Sequence, residues 1–188
     1  MEVKLLNEPL TILVRKGRRL AEFAIVAGNV PGALSKVLSV FSECKANILS
    51  LSATALNGRA SILLFVDITD SKPCHEIASK LQELDDVEKV EFFQTGLDGV
   101  VYEGLSDKTT IYGGIEDAVI FDSIMISDMI NGIKKTFGSA GDAFMWYFGR
   151  AGGKSIAKFL LEIMPVKEKK HLLYHAVKML SSLGWGIF

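Results

Sequence analysis

Cysteine is nearly absent: the 188-residue chain has Cys44 and Cys74 and no other. Each falls on the apolar side of an expected helix. Both are therefore read as buried thiols rather than a disulfide, a metal site or a nucleophile. Long apolar runs are missing too. No stretch approaches the roughly 18 uninterrupted apolar residues of a spanning helix. Met1-Glu2-Val3-Lys4 lacks the basic start and apolar run of a signal peptide, so a cytoplasmic protein is expected. Neither sign of charge dominates: 21 basic and 22 acidic residues leave a net charge of −1, which points to neither nucleic acid nor membrane as a partner. The clusters Arg15-Lys16-Gly17-Arg18-Arg19 and Lys167 to Lys170 are short and read as solvated surface. Histidine is scarce. His171 and His175 stand four apart on one expected helix face, but no third ligand is placed beside them, so no metal is expected. A nucleophile elbow, a Walker loop and a partnered carboxylate pair are all lacking. These absences point to a non-enzyme with no catalytic residue and no cofactor.

What the chain does have is apolar surface to bury. Hydrophobic residues make up 49% of it, enough to fill a core. The mean hydropathy of +0.30 in a chain with no spanning segment suggests burial in a subunit interface, hence a homodimer or higher homo-oligomer.

The region from residue 19 to 94 carries the clearest pattern. Leu20 to Val26 reads as a strand with Ala21, Phe23 and Ile25 on one face. Gly28-Asn29-Val30-Pro31-Gly32 is a loop leading to a helix, and Pro31 holds Val30 extended. Leu34, Val37, Leu38 and Phe41 form the buried stripe of that helix. A second strand runs from about Asn47 to Leu56. Asn57-Gly58 is a hairpin signal, and Ser61 to Ile68 is the returning strand. Asp70 or Ser71 can cap a second helix, with Pro73 in its first turn and Cys74, Ile77, Ala78, Leu81 and Leu84 buried. Val87 to Phe93 closes the unit. The order β-α-β-β-α-β predicts a ferredoxin-like sandwich of two helices on one antiparallel sheet.

The loop Gly28 to Gly32 is the candidate site. A glycine-bearing turn into a helix presents free backbone N–H groups at the positive end of the helix dipole, which suits a carboxylate. Gly32 lets a ligand approach the backbone, and Asn29 offers both donors and acceptors. Two other trades of this topology find no residues. The strand Ser61 to Asp67 has one phenylalanine and no basic residue for RNA, and no Cys-x-x-Cys turn is present.

With Asn29-Val30-Pro31-Gly32-Ala33-Leu34 after the first strand and Ala46-Asn47-Ile48 opening the second, Leu20 to Phe93 resembles the ACT domain family. The resemblance implies an α+β fold that pairs through sheet edges or helices and binds amino acids at the interface. It implies that Asn29, Val30, Pro31, Gly32 and Ala33 line the ligand loop. Asn47 would then face the pocket from the second strand of the same or the adjacent subunit. Serine-binding members have a histidine where Ala27 stands, so the expectation is a small amino-acid ligand of unnamed identity.

Residues 95–188 are expected as a mainly helical second domain, and 1–18 as an extended segment of open affiliation. Val100 to Tyr102 and Thr110 to Tyr112 read as short extended pieces. Helices are expected over Asp117 to Phe137, about Ala140 to Met164 and about Glu168 to Leu183. Within the first, Val119-Ile120-Phe121 reads equally as a final strand residue or two, which periodicity does not decide. Gly149, Gly153 and Ala157 make a small-residue face suited to close helix contact, while Trp146, Tyr147, Tyr174 and Trp185 are expected in a core or interface. The run from Tyr147 to Lys154, followed by Gly184-Trp185-Gly186, is similar to the vinyl-reductase domain family over about Asp117 to Phe188. That family's cysteine and histidine positions lie in a sheet beyond Phe188, so no metal is carried over.

The function expected is a non-catalytic regulator sensing an amino-acid-like ligand. The alternatives are a regulatory subunit of a biosynthetic enzyme, or an ACT-like dimerisation module with a hydrophobic-ligand site in the helical domain.

Overall fold

The computed structural model describes residues 12–105, 109–111, 116–163 and 169–182. The chain divides into two compact units, Met1–Val119 and Ile120–Phe188, each described by itself.

In the first unit the strands β1 (Ile12–Val14), β2 (Leu20–Gly28), β3 (Asn47–Leu56), β4 (Arg59–Asp67), β5 (Val87–Phe93), β6 (Val100–Tyr102), β7 (Thr109–Ile111) and β8 (Glu116–Ala118) follow in chain order. Helices α1 (Ala33–Glu43) and α2 (Cys74–Gln82) interrupt them. One antiparallel sheet has the order β3-β4-β2-β5, and both helices pack on the same face of it, which is the ferredoxin-like arrangement the periodicity predicts. Ala21, Phe23, Ile25 and Ala27 of β2 project into that core, where the Phe23 ring meets Phe41 edge-on at 5.1 Å. Asn57 and Gly58 take φ values of 53° and 79°, the two left-handed positions that the tight β3–β4 hairpin demands.

Helix α1 is rotated from its expected stripe. Ala33, Val37, Val40 and Phe41 are buried, Leu38 is half-buried and Leu34 is exposed. Neither Asp70 nor Ser71 caps α2. The Ser71 hydroxyl donates to the carbonyls of Ile68 and Lys72, and extended Pro73 occupies the cap position. Cys44 and Cys74 are free, buried thiols of the core.

The other face of the sheet is partly roofed. β1 pairs antiparallel with β6, setting Ile12 opposite Tyr102 and Val14 opposite Val100. Leu13 and Val101 of this ribbon pack onto Leu20, Phe65, Leu49 and Leu63. The open question of the segment before residue 18 is thereby answered for Ile12–Val14, and the ribbon leaves Leu20 to Phe23 buried on both faces. β7 and β8 form a separate two-stranded piece.

The second unit holds α3 (Ser123–Phe137), α4 (Ser139–Ile163) and α5 (Lys169–Ser182). α3 starts later than Asp117 because Asp122 caps it: Oδ1 accepts the Met125 N–H at 2.8 Å. Val119, Ile120 and Phe121 are neither helix nor strand. The close helix approach is at Gly141, where a Cβ would meet the Ile133 carbonyl oxygen at 2.9 Å. At Gly149 and Gly153 the space is open among the described residues, so the expected small-residue contact is not made there. Trp146, Tyr147 and Tyr174 are exposed rather than core residues. The Arg150 guanidinium lies 5.1 Å from the centre of the Trp146 ring. Tyr112, Pro165, Lys167 and Gly184-Trp185-Gly186 lie outside the described residues. No helix among the described residues is long and apolar enough to cross a membrane.

Candidate functional site

The turn between β2 and α1 is held from three sides. The Gly28 N–H donates to the Asp86 carbonyl at 2.7 Å, the Asn29 N–H to Gly58 at 2.9 Å, and the Val30 N–H to Gly28 at 3.0 Å. Lys36 Nζ lies 2.6 Å from Asp86 Oδ2, joining the first helical turns of α1 to the turn before β5. Asp86 raises the Lys36 ammonium above its ordinary value by hydrogen bond and charge.

Gly32 is the N-cap of α1 and has no capping side chain. Its φ of 89° is left-handed backbone that a Cβ would strain, and nothing stands within 4 Å of where that Cβ would be. The N–H groups of Gly32, Leu34 and Ser35 have no acceptor among the described residues, whereas Ala33 donates to Val30 and Lys36 to Gly32. These donors stand at a helix N-terminus, the arrangement that accepts a carboxylate. Asn29, Val30, Pro31 and Gly32 are exposed and Ala33 is buried, so Ala33 anchors the turn while the other four present it.

Asn47 stands elsewhere. It pairs with Asp67, which pairs with Leu20 at the start of β2, while Gly28 at the far end of β2 pairs with Arg59. Eight strand residues separate the two ends, roughly 27 Å at a rise of about 3.4 Å each. Within one chain the structure brings Asn29 to Ala33 together and leaves Asn47 at the opposite end of the sheet.

No group of three or more metal-ligating side chains exists among the described residues. Burial pushes the Cys74 thiol up to about 11, which suits packing rather than chemistry. Asp67 is also buried. Its burial would raise the carboxyl, but the Thr69 hydrogen bonds and the Arg18 guanidinium at 2.6 Å outweigh this and hold it below its ordinary value.

Glu22 is the group that the sequence pattern did not single out. It is buried in β2, opposite Phe65 on one side and Phe93 on the other. Its signal was present in the sequence: a lone carboxylate inside the apolar run Leu20-Ala21-Glu22-Phe23-Ala24-Ile25-Val26.

Residues 16–91 match the family model of the ACT domain. A UPF0735 ACT domain-containing protein of Caldicellulosiruptor saccharolyticus is 32% identical over 75 residues, 39% of this chain and 50% of that protein. Another, of Shouchella clausii, is 34% identical over 80 residues, 42% of this chain and 54% of that one. The chain thus spans about half the length of the curated relatives it matches. Among solved structures, the ACT domain from GTP pyrophosphokinase of Chlorobium tepidum is similar at 23% identity and a TM-score of 0.36, covering 40% of this chain and 99% of that domain. The family model and the curated relatives together support an ACT domain in the amino-terminal half.

Proposed function

We propose that the chain is a non-catalytic regulator that senses a small amino-acid-like ligand at the β2–α1 turn. The observation that carries this reading is the set of N–H groups at Gly32, Leu34 and Ser35 that have no acceptor among the described residues, next to exposed Asn29. A carboxylate would take these donors, and the Asn29 amide would orient the ammonium end.

A second copy completes the site in this reading. Among the described residues β3 is an edge strand bonded only to β4. Two β3 edges paired antiparallel set Asn47 of one copy beside the Leu56 end of the other, where Gly58 holds the Asn29 N–H. Occupancy would then favour the paired state, as a ligand with differential affinity for two states must. A homodimer follows from this reading.

The test is thermal unfolding of the full chain against each proteinogenic amino acid at millimolar concentration. A ligand at 100 times its dissociation constant adds about 2.7 kcal/mol and moves the midpoint by several degrees. The expected result is a shift by one amino acid that Asn29→Ala and Asn47→Ala each abolish. No shift with any of them would remove the reading.

A second reading rests on the helical unit, whose α3 and α4 expose Ile124, Met129, Tyr147 and Phe148. These apolar side chains offer a face for a hydrophobic ligand or for dimerisation, beside an open depression lined by Asp122, Ile124, Met125, Asp128 and Met129. Co-purification of a catalytic partner would instead favour a regulatory subunit of a biosynthetic enzyme.

A further inference from the structure

Directly after β6 the chain is gripped by one side chain of β2. The N–H groups of Gly104 and Leu105 donate to Glu22 Oε2 at 2.8 and 3.2 Å. The other oxygen, Oε1, is buried and has no hydrogen-bond partner among the described residues. The grip is closely fitted: a Cβ on Gly104 would meet the Phe93 ring at 2.9 Å, and that ring packs on Tyr102 at 5.5 Å between centres. Phe93 stands directly opposite Glu22 in the sheet.

We propose that Glu22 is a proton-operated latch that clamps the 103–105 connector onto the sheet and loosens it when the carboxyl is ionised. The proposal does not rest on ligand binding at the β2–α1 turn. Oε2 accepts both N–H groups whether the carboxyl is neutral or charged. Ionisation spreads negative charge over both oxygens and strengthens the two N–H bonds to Oε2. It also charges Oε1 in a dry position with no donor among the described residues, and burial outweighs the gain. When the connector lifts, Glu22 meets water and becomes an ordinary carboxylate. The closed latch therefore holds a proton more tightly than the open one, and linkage requires that rising pH open it.

Burial is the largest cause of the raised Glu22 value; the Gly104 and Leu105 N–H bonds oppose it, and among the surrounding charges Glu103 of the connector adds to it by like charge. On the same sheet face β5 contributes Glu91 and, farther along, Lys89, which lie 2.9 Å from each other in an ion pair. β4 contributes Asp67, held by Arg18. β1 brings no charged residue within Ile12–Val14.

The test is amide hydrogen exchange of Val101, Gly104 and Leu105 in the full chain between pH 5 and 8, each corrected for its intrinsic rate. Opening should rise by up to about tenfold per pH unit in the window between an ordinary carboxyl near 4.3 and the raised Glu22 value. Glu22→Gln keeps an acceptor oxygen for both N–H groups without charge, and should remain closed and flat with pH. Equal opening in the two proteins at every pH, or closing as pH rises, would overturn the proposal. If Glu22→Gln does not fold, carbon NMR of the wild-type carboxyl decides. Glu22 should titrate above the ordinary value together with the Gly104 and Leu105 amide shifts. Titration at the ordinary value, or amides that do not follow, would overturn it.

Discussion

The backbone N–H of Ala46 donates to the Phe41 carbonyl oxygen at 2.9 Å, closing α1 with a loop in which Lys45 sits at a left-handed φ of 59°. Helices commonly end this way, but with glycine at the left-handed position, because a Cβ there costs about 1 kcal/mol or more. Lys45→Gly should therefore raise stability by about 1 kcal/mol, seen as a higher urea midpoint with an unchanged slope. An unchanged or lower midpoint would show that the lysine side chain contributes more than its backbone costs.

Gly99 is the residue on which the β1–β6 ribbon depends. Its φ is 64°, its carbonyl accepts the Arg15 N–H at 2.6 Å, and a Cβ on it would overlap the Arg15 carbonyl. Gly99→Ala should cost about 2 kcal/mol or more in urea unfolding and raise hydrogen exchange at Leu13 and Val101. A change within about 0.5 kcal/mol would mean that the ribbon tolerates a shift of backbone.

Global stability should carry the signature of Glu22. Its carboxyl is raised in the folded state by burial, so between the ordinary value near 4.3 and that raised value the folded chain binds more proton than the unfolded one. This contribution is present at the acid end of the window and is lost as pH rises through it. Urea unfolding at closely spaced pH should show it as a slope that Glu22→Gln removes. A slope retained in the variant would assign the effect to other groups.

Both thiols should be chemically silent in the native protein. Cys44 and Cys74 are buried, and Cys74 is pushed up to about 11 by desolvation. At pH 8 iodoacetamide should label neither in the folded chain and both in denaturant, read by mass spectrometry. Native labelling at the rate of a free thiol would place a cysteine at the surface.

The amino-terminal fold was legible because its signals are local. Alternating strands, two helical stripes, Pro31-Gly32 and Asn57-Gly58 each act over a few residues, and together they fix the element order. The β1–β6 ribbon was not legible, since pairing Ile12 with Tyr102 joins distant segments only three residues long. The exposure of Leu34 and the start of α3 depended on packing and on a competing cap at Asp122, which periodicity does not weigh. The turn Asn29 to Ala33 could be read directly. That Asn47 stands at the other end of the same sheet followed only from strand register.

The roof formed by β1 and β6 also restricts how copies of this unit can meet. A bare sheet face can stack on another; here the ground around Leu20, Phe65 and Leu63 is already taken by Leu13 and Val101. Full face-to-face stacking is closed, so growth into larger assemblies is left to run sideways, strand beside strand or helix beside helix.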